Sequence, residues 1–507
     1  MTGAESLLQA LLANDITVCF MNPGTSEMHF VSALDRTPEL RGVLCLFEGV
    51  CSGAADGYAR MTGRPAATLL HLGPGLANAL SNFHNARKAR SPIVSIVGEH
   101  SRQHLEYDAP LSADIVAFAR TVSTDVCVAR SPDELPRAIT QSVRAARRPP
   151  GQVATLIIPA DLSWSEAPEP GPPVSPQARA VPDGARVCEA ARLLKSRKST
   201  GVLLSGSAAL ARGIDAAGRL AAAGARVFVD RNAARLASGR GRFQPTRIPY
   251  FPEPAQELLS GLEHLILVEA KPPVSFFAYP GLRSELAPGH CQMHVLAGFE
   301  EDGVAALESL ADECGARRAS PVTMEPHPDQ DSIGAIIAEL LPENAIVSDE
   351  MVSSGGEVTP HLVAAAPHDL LPVTGGSIGQ GLPVALGAAV ACPERKVVAL
   401  EADGSGMYTL QSLWTIARER LDVTTVIFAN RRYRILEIEM RRTGAHGFGP
   451  IADRMIDIGD PALDWVRLAA GMGVSASRAA TGSEFRDQFD AAMQVREPRL
   501  IEAVLPF

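Results

Sequence analysis

The sequence lacks the features that mark membrane proteins and nucleic-acid-binding proteins. Among its 507 residues there is no apolar run of about 18 residues, the length that a transmembrane helix needs. Aromatic residues make up 5% of the chain, and no long lysine- or arginine-rich run offsets its net charge of −10. We therefore predict no membrane partner and no nucleic-acid partner. The one basic cluster, Arg431, Arg432, Arg434, Arg441 and Arg442, is interpreted as a solvated helix face.

Cysteine pairs at the spacing of metal or redox sites are also missing. The eight cysteines are irregularly spaced and include no C-x-x-C motif, which predicts reduced thiols in a cytoplasmic protein rather than disulfides or a zinc site. Cys19, Cys45 and Cys51 lie in or beside apolar runs and are predicted to be buried. Residues 1–15 form an amphipathic helical pattern without the basic start and cleavage site of a signal peptide.

The chain does contain enough apolar sequence for several buried cores. Apolar residues make up 46% of it, and its length predicts about three domains. Proline-dense segments at 163–182 and 317–330 divide it into parts 1–163, 183–317 and 330–507. In each part short β-branched runs alternate with helical patterns, so we predict an α/β fold of three doubly wound domains with mainly parallel sheets.

Strands are predicted at the short apolar runs. They are 18–21, 42–47, 67–71, 93–97 and 155–159 in the first part, 201–205, 226–229 and 264–269 in the middle part, and 345–348, 397–400, 424–429 and 499–504 in the last part. Parallel pairing gathers the residues that follow such strands at one edge of each sheet, where open α/β folds bind ligands.

The predicted strand–turn–helix–strand unit that ends at Asn430 is the most informative segment. Its helical pattern begins near Met407, after the turn Asp403-Gly404-Ser405, and a right-handed parallel βαβ crossover is expected. The oxygens of Asp403 and Asn430 suit Mg²⁺, and the backbone N–H groups of Gly404 and Ser405 suit a phosphate. The alternative is an ordinary turn after a strand.

This unit resembles the signature of thiamine diphosphate enzymes, a Gly-Asp-Gly-Ser turn followed by paired asparagines after the next strand. Ala402 and Ala429 stand here in place of the family's first glycine and first asparagine. The resemblance implies Mg²⁺ bound by Asp403, Asn430 and the backbone carbonyl of Arg432. It also implies that thiamine diphosphate contacts a set of residues in the last part, namely Gly404, Ser405, Ser353 and Tyr433.

The resemblance extends over nearly the whole chain and is closest to the group of acetolactate synthase, benzoylformate decarboxylase and pyruvate oxidase. It implies a pyrimidine-binding domain, a middle domain and a diphosphate-binding domain. The run Ala-Asp-Gly-Tyr-Ala-Arg at residues 55–60 identifies Glu48 as the family's activating glutamate. Its carboxyl would exchange a proton with a pyrimidine nitrogen and so promote formation of the C2 ylid. Taken alone, Glu48 could also be an acid favoured by a helix N-terminus.

Two further residues of the first part are catalytic candidates. His71 stands where benzoylformate decarboxylase has a histidine, and it can carry a proton near neutral pH. Its alternative is a structural histidine at a strand end. Thr25 stands where that enzyme has a serine that meets the substrate carboxylate, and its alternative is a turn-forming role. Asn78 is predicted to contact the cofactor and to cap the helix that follows His71.

A third motif, at residues 374–383, matches the family's glycine-rich loop. By register Ile378 is the apolar residue that separates the two cofactor rings, and the Gly376 carbonyl would accept a bond from the pyrimidine amino group. This arrangement would bring base and carbon acid together. The alternative is a common glycine-rich turn between a strand and a helix.

The substrate pocket of neither relative is reproduced. The middle part has Phe276, Phe277 and Tyr279 where benzoylformate decarboxylase has its second histidine. Acetolactate synthases typically have Gly-Gln-Val-Pro where this chain has Gly98-Glu99-His100-Ser101, so their active-site glutamine is not evident. His100 and His104 are additional candidates for substrate contact. In the helix that follows Asn430, pocket-lining and core roles are equally open for three residues, Ile435, Leu436 and Glu437.

The resemblance implies a thiamine diphosphate- and Mg²⁺-dependent enzyme that decarboxylates a 2-oxo acid through an enamine. Addition to a second 2-oxo acid makes it an acetolactate synthase-like carboligase, which the overall resemblance favours. Protonation makes it a benzoylformate decarboxylase-like enzyme that releases an aldehyde, which His71 favours. The two alanines leave open a weakly active cofactor-binding partner or regulatory subunit, although retention of Glu48, Asp403, Asn430 and Ile378 argues against it.

The family's arrangement also implies an assembly, because the glutamate domain of one subunit meets the diphosphate domain of another. A homodimer is the minimum, and a homotetramer is expected. The middle part, about 135 residues, is short compared with flavin-carrying relatives, so FAD is not expected.

Overall fold

The computed structural model describes residues 1–196, 198–316, 332–445 and 449–505. Within these residues three sheets form, with strand orders β2-β1-β3-β4-β6-β5, β10-β8-β7-β11-β12 and β17-β18-β16-β15-β13-β14-β9, the strands being numbered along the chain as bounded below. All described pairs are parallel except β9 with β14, so the predicted fold class is confirmed. The proline-dense segment predicted at 317–330 lies outside the described residues.

The first sheet and its helices occupy the N-terminal third of the chain. The strands are β1 (Val18–Asn22), β2 (Arg41–Leu44), β3 (Ala66–Leu70), β4 (Ile93–Glu99), β5 (Asp125–Val128) and β6 (Val153–Pro159). The helices are α1 (Gly3–Ala13), α2 (Met28–Leu34), α3 (Glu48–Thr62), α4 (Leu72–Ala89), α5 (Ile115–Arg120), α6 (Leu135–Arg147) and α7 (Ala160–Trp164). Its strand order reverses between β1 and β3, the point where ligands are expected at such a sheet.

The second sheet lies in the middle of the chain. The strands of this part are β7 (Thr200–Leu204), β8 (Arg226–Val229), β9 (Leu236–Ser238), β10 (Thr246–Arg247), β11 (His264–Val268) and β12 (Gln292–Ala297). The helices are α8 (Gly184–Lys195), α9 (Ala211–Ala222), α10 (Pro252–Leu259) and α11 (Gly303–Glu313). β9 leaves this part and pairs antiparallel with β14 of the third sheet.

The third sheet lies in the C-terminal part. Its other strands are β13 (Ile346–Glu350), β14 (His368–Pro372), β15 (Val397–Ala402), β16 (Val423–Ala429), β17 (Ser475–Ala479) and β18 (Arg499–Val504). The helices are α12 (Ile333–Leu340), α13 (Gly355–Leu362), α14 (Gly381–Ala391), α15 (Asp403–Gly406), α16 (Ser412–Arg418), α17 (Arg434–Arg442), α18 (Pro450–Arg454), α19 (Trp465–Gly471) and α20 (Gly482–Met493). This sheet reverses its order between β13 and β15.

Several predicted elements need correction. The strand predicted at 42–47 ends at Leu44, so Glu48 begins α3 directly instead of closing a strand. The helical pattern placed near Met407 is two helices, the four-residue α15 and, after a break, α16. Strands such as β5, β14 and β17 escaped prediction, and each of these carries a charged or proline residue within a short apolar run. The domain bounds drawn from the proline-dense segments stay a prediction.

Other predictions are confirmed. Cys19, Cys45 and Cys51 are fully buried, and all eight cysteines are unpaired. The N-terminal pattern forms α1, whose first turn is closed by a reciprocal pair of hydrogen bonds between Thr2 and Glu5. Among the described residues no helix combines the length and the apolar content that crossing a bilayer demands.

Two buried helices, α3 and α14, join the first and third sheets. Both are rich in glycine and alanine, and their backbones touch where glycines face the partner helix. A Cβ added at Gly57 would lie 2.2 Å from the Val384 carbonyl oxygen, and one at Gly387 would lie 1.9 Å from that of Ala54. Only glycine therefore permits this spacing.

A buried ion pair reinforces the same contact. Arg60 donates to both carboxylate oxygens of Asp56, and it also donates to the Pro372 carbonyl at 2.9 Å and to the Thr374 hydroxyl at 3.0 Å. The side chains of both partners are at most 1% exposed, so their charges are stable only because each is paired and hydrogen-bonded. Through these bonds α3 holds the glycine-rich loop that follows β14.

Substitution at the glycine contact tests this packing. Gly387→Ala is expected to lower the free energy of unfolding by at least about 2 kcal/mol, because its methyl group must displace the α3 backbone. Gly356→Ala in α13 is the matched control, since a Cβ there meets nothing within 4 Å. Urea titration followed by circular dichroism measures both, and equal stability of the two variants would contradict the assigned contact.

Candidate active site

Glu48 is held at the start of α3 by a residue of α4. Its side chain is buried, and the Asn78 amide donates to its Oε2 at 3.0 Å. A Cβ added at Gly75 would come within 3.1 Å of Glu48 Oε1, so this glycine leaves room for the carboxyl. The predicted capping role of Asn78 is wrong, because α4 begins six residues earlier with His71 at its N-cap. Asn78 instead orients the carboxyl that the family resemblance singles out.

His71 is paired with a buried acid that sequence reasoning missed. Its Nδ1 lies 2.8 Å from Glu27 Oε2, and the same oxygen accepts the Gly24 amide at 2.8 Å. Burial raises the pKa of Glu27, while the Gly24 amide and His71 oppose that shift. His71 follows β3 and Glu27 follows β1, so the pair spans the point where the strand order reverses. The pair gives this edge of the sheet a proton-carrying group.

The remaining N-terminal candidates surround this pair. Thr25 is exposed at the first position of the short turn that carries Glu27. The backbone before it packs on the His71 ring, since a Cβ at Gly24 would lie 2.3 Å from Nδ1. His100 follows β4, its ring centroid lying 5.3 Å from that of the exposed His104. The roles of Thr25, His100 and His104 stay predictions.

One face of α4 connects the Glu48 region to the glycine-rich loop of the third sheet. The buried Asn82 amide donates to the Gly49 carbonyl at 2.9 Å and to the Gly379 carbonyl at 3.1 Å. Asn85 donates to the Ser377 carbonyl at 2.7 Å. These asparagines and Asn78 stand three or four positions apart on a largely apolar helix, a spacing that could have revealed their shared face.

The loop between β14 and α14 holds both predicted ring contacts. Gly376 has φ +80° and Gly379 has φ +88°, a region that favours glycine. Gly376 is exposed and Ile378 is half-buried. The ring of Phe276, from the middle part, covers Gly376 so closely that a Cβ there would lie 2.3 Å from it. Phe276, one of the aromatic residues that replace the expected histidine, therefore borders this loop.

The predicted metal ligands lie at the ends of two adjacent strands, β15 and β16. The buried Asp403 carboxylate accepts the Gly404 amide at 2.9 Å and the Arg431 amide at 2.6 Å. Burial raises the pKa of Asp403 to about 6, against the effect of those two amides. A nearby cation would favour the charged carboxylate.

Asn430 lies beside two other predicted residues. Its amide nitrogen lies 3.5 Å from the Ser353 hydroxyl, and its Oδ1 accepts the Arg432 amide at 3.0 Å. The Arg432 side chain points elsewhere, to Glu437 and Asp453, as the backbone role predicted for this residue requires. The described acidic, histidine and cysteine residues form no cluster of three that could hold a metal. A metal site at Asp403 and Asn430 would therefore have one carboxylate ligand, with neutral oxygen atoms as the other ligands.

Tyr433 lines the turn Asp403-Gly404-Ser405. A Cβ at Gly404 would lie 2.5 Å from the Tyr433 ring, so this glycine lets the ring cover the turn. The Ser405 hydroxyl is directed at the buried carboxyl of Glu401. Only its backbone N–H can then serve the phosphate contact predicted for it.

The helix after Asn430 does not present a uniformly solvated basic face. In α17, Arg441 pairs with Glu437, and Arg442 pairs with Glu253 of the middle part. Leu436 is exposed and Ile435 is half-buried. The three residues predicted to line a pocket or the core, Ile435 to Glu437, thus differ in their surroundings, and their roles stay open.

Sequence reasoning also missed a pair of buried carboxyls in the third sheet. Glu350 and Glu401 are parallel partners in register at the ends of β13 and β15, and each is at most 1% exposed. Burial raises the pKa of Glu350 to about 7, and burial together with Glu350 raises the pKa of Glu401 well above its usual range. Nothing in either local sequence revealed that the two strands are neighbours.

The described residues fit thiamine diphosphate and a hard divalent cation. Asp403 and Asn430 present oxygen atoms at neighbouring strand ends, and a cation there would stabilise the charge of the buried carboxylate. Gly376 and Gly404 keep backbone accessible where a side chain would collide with Phe276 or Tyr433. The oxygen atoms of Asp403 and Asn430 and the space left at Gly376 and Gly404 therefore agree with the predicted cofactor.

Comparison with known proteins supports this interpretation. The family model for the thiamine pyrophosphate enzyme N-terminal TPP binding domain matches residues 1–118, and that for the C-terminal TPP binding domain matches residues 356–503. The chain is 48% identical to the Mycobacterium tuberculosis protein named "Putative acetolactate synthase large subunit", with 100% of this chain and 99% of the relative covered. It is 28% identical to benzoylformate decarboxylase of Pseudomonas aeruginosa, with 97% of each chain covered.

Solved structures with the same fold cover the whole chain. A thiamine diphosphate-dependent 4-hydroxybenzoylformate decarboxylase of Rhodococcus jostii RHA1 matches with a TM-score of 0.86 at 24% identity, covering 100% of this chain and 99% of that one. Benzoylformate decarboxylase of Polynucleobacter necessarius matches with a TM-score of 0.84 at 21% identity, covering 99% and 98%. At these identities the likeness establishes the fold.

The Glu350 pKa predicts a pH-dependent stability. The folded chain binds this proton more tightly than the unfolded chain, so the contribution is full below about pH 4.5 and is lost as pH rises through about 7. Relative to Glu350→Gln, the wild type should lose about 2 to 3 kcal/mol of unfolding free energy between about pH 5 and 8. Urea titrations of both proteins across this range measure the difference, and a pH-independent difference would refute the assignment.

Proposed function

The chain belongs to the thiamine pyrophosphate enzyme family, and we propose that it uses thiamine diphosphate with Mg²⁺ to decarboxylate a 2-oxo acid. The observation that carries this proposal is the Glu48 carboxyl, buried at the start of α3 and held by Asn78. It stands in the part of the chain that matches the N-terminal TPP binding domain.

Glu48 is the proposed proton-exchange group. Asn78 donates to Oε2 and leaves Oε1, which faces Gly75, to exchange a proton with the pyrimidine ring nitrogen. When bound, thiamine diphosphate supplies the electron sink that takes up the electron pair released as carbon dioxide leaves. Ile378 and the Gly376 carbonyl would orient the ring system, an effect that lowers the entropic part of the barrier.

Metal binding is proposed at the other end of the site. Asp403, Asn430 and the Arg432 carbonyl would hold Mg²⁺, and the backbone at Gly404 and Ser405, with Ser353 and Tyr433, would border the diphosphate. Asp403 supports this assignment because its carboxylate is buried and accepts two backbone amides, those of Gly404 and Arg431. A divalent cation would supply the opposite charge that stabilises it.

Two fates of the decarboxylated fragment are supported by different observations. The His71–Glu27 pair favours protonation, because it places a proton carrier next to Thr25, and release of an aldehyde follows. Similarity to the acetolactate synthase relative favours transfer to a second 2-oxo acid. The common step, loss of carbon dioxide, is the function proposed here.

An assembly of two or four copies is also proposed. In this family a second subunit completes the site, and exposed apolar residues border both halves of the site in this chain. Leu46, two positions before Glu48, is 46% exposed, and Tyr408, against Gly379, is 54% exposed. A partner copy would bury both side chains.

Carbon dioxide release tests the proposed function. Purified protein with thiamine diphosphate and Mg²⁺ is assayed on pyruvate, 2-oxobutyrate, benzoylformate, phenylpyruvate and oxalyl-type substrates, with product identification. Glu48→Gln should abolish turnover because it cannot exchange the proton. Glu269→Gln, a buried carboxyl of the middle sheet, is the matched control and should keep turnover.

The products distinguish the candidates. An aldehyde supports the His71 protonation route, and an acyloin or acetohydroxy acid supports carboligation. Cofactor binding without turnover on any of these substrates would contradict 2-oxo acid decarboxylation and favour a partner or regulatory subunit.

Asp403→Asn should separate metal binding from stability. Calorimetric titration should show thiamine diphosphate binding with Mg²⁺ weakened by roughly 100-fold, and EDTA should abolish binding to the wild type until Mg²⁺ is restored. The cofactor-free variant should be more stable than the wild type at pH 7.5 by about 1 to 3 kcal/mol, because a charge with a raised pKa is removed from a buried position. Unchanged cofactor affinity would exclude Asp403 as a ligand.

A further inference from the structure

Glu350 binds the backbone of the loop that carries the proposed ring contacts. It ends β13 and is 1% exposed. Its Oε1 accepts the Gly379 amide at 2.8 Å, and its Oε2 accepts the Gly381 amide at 2.5 Å. Gly379 is the next residue after Ile378 and Gly381 lies two positions further on, so one carboxylate fixes the backbone that follows Ile378.

Glu401 links the loop held by Glu350 to the turn Asp403-Gly404-Ser405. It is the parallel partner of Glu350 on β15, and the Ser405 hydroxyl donates to its Oε1. A Cβ added at Gly381 would lie 2.3 Å from Glu401 Oε2 and 3.1 Å from Glu350 Oε2. The two carboxyls therefore converge on Gly381, between the loop and the turn.

This point is where the strand order of the third sheet reverses, between β13 and β15. Open α/β sheets bind their ligands at such a crevice. Two buried carboxyls there cost free energy of desolvation, which the amides of Gly379 and Gly381 offset for Glu350. An apolar residue would avoid that cost but would leave both amides without an acceptor.

We propose that Glu350 is a positioning residue, which holds the Gly379–Gly381 backbone so that Gly376 and Ile378 select the ring portion of thiamine diphosphate. This inference rests on the proposed function. The Glu350 carboxylate accepts the Gly379 and Gly381 amides, whereas the diphosphate end is bordered by Ser353, Gly404, Ser405 and Tyr433. Loss of these two hydrogen bonds should therefore weaken binding of the rings and leave binding of the diphosphate unchanged.

Glu350→Gln separates these two effects. The glutamine has the same shape but only one acceptor oxygen, and its NH₂ group faces an amide that needs an acceptor. Thiamine diphosphate and inorganic diphosphate, each with Mg²⁺, are titrated into wild type and variant by calorimetry. Thiamine diphosphate affinity should fall roughly 10- to 100-fold, the effect of losing a hydrogen bond to a charged group. Affinity for inorganic diphosphate should change by less than about threefold.

A matched control removes the effect of general destabilisation. Glu269 is also fully buried at the end of a parallel strand, where it accepts the backbone amides of Ser207 at 2.8 Å and Gly303 at 3.0 Å. Glu269→Gln should lower stability but leave the affinity for both ligands unchanged. The near-ultraviolet circular dichroism of bound cofactor, which reports how its two rings are oriented, should change in Glu350→Gln only.

Glu350→Asp serves as the second variant. It keeps the charge but retracts the carboxylate by one methylene, so it should bind thiamine diphosphate with intermediate affinity. If neither Glu350 variant folds, the residue acts in stability alone and the inference is overturned.

The remaining outcomes are equally decisive. Unchanged thiamine diphosphate affinity in Glu350→Gln, equal weakening of both ligands, or the same weakening in Glu269→Gln would each overturn the positioning role. A wild type that binds inorganic diphosphate but not thiamine diphosphate would instead overturn the proposed function itself.

Discussion

The contact between helices α3 and α14 determines how the first and third sheets of the chain face each other. α3 begins with Glu48, and α14 follows directly on the loop that carries Gly376 and Ile378. Because Gly57 and Gly387 allow backbone contact, the two helices approach more closely than helices with larger side chains could. A change in this spacing would move Glu48 relative to the Gly376–Ile378 loop of the same chain.

Polar groups buried along this contact fix the relative position of α3, α4 and the glycine-rich loop. Arg60 joins Asp56 of its own helix to the Thr374 hydroxyl and the Pro372 carbonyl, while Asn82 joins the carbonyls of Gly49 and Gly379. Such groups are costly to bury without partners, so each permits one arrangement of helix and loop. The resulting rigidity suits a site in which a proton-exchange group must stand at a defined distance from bound rings.

The sequence predicted the parts of the site that lie within single segments. Asp403 and Asn430 follow strands, as expected, whereas Glu48 begins a helix after its strand has already ended at Leu44. The sequence could not predict pairs that depend on strand order. Glu27 meets His71 because β1 lies next to β3, and Glu350 meets Glu401 because β13 lies next to β15.

The errors have equally local causes. The cap assigned to Asn78 failed because α4 accepts Gly73 and Pro74 in its first turn, so the helix starts before them. The strand at 42–47 was drawn too long because Cys45 and Phe47 continue the apolar pattern after pairing with β1 has ended. In both places packing by other elements decides where the element ends, and a single sequence does not contain that information.

We infer that Glu48 and the C-terminal loops form one working thiamine diphosphate site, and this can be tested without substrate. The exchange of the acidic ring proton of bound thiamine diphosphate with deuterium can be followed by quenched-flow proton NMR in wild type, Glu48→Gln and Glu269→Gln. We expect exchange far faster than in free cofactor for wild type and Glu269→Gln, with loss of this acceleration in Glu48→Gln. Exchange in the wild type that is no faster than in free cofactor, with the cofactor shown to be bound, would contradict it.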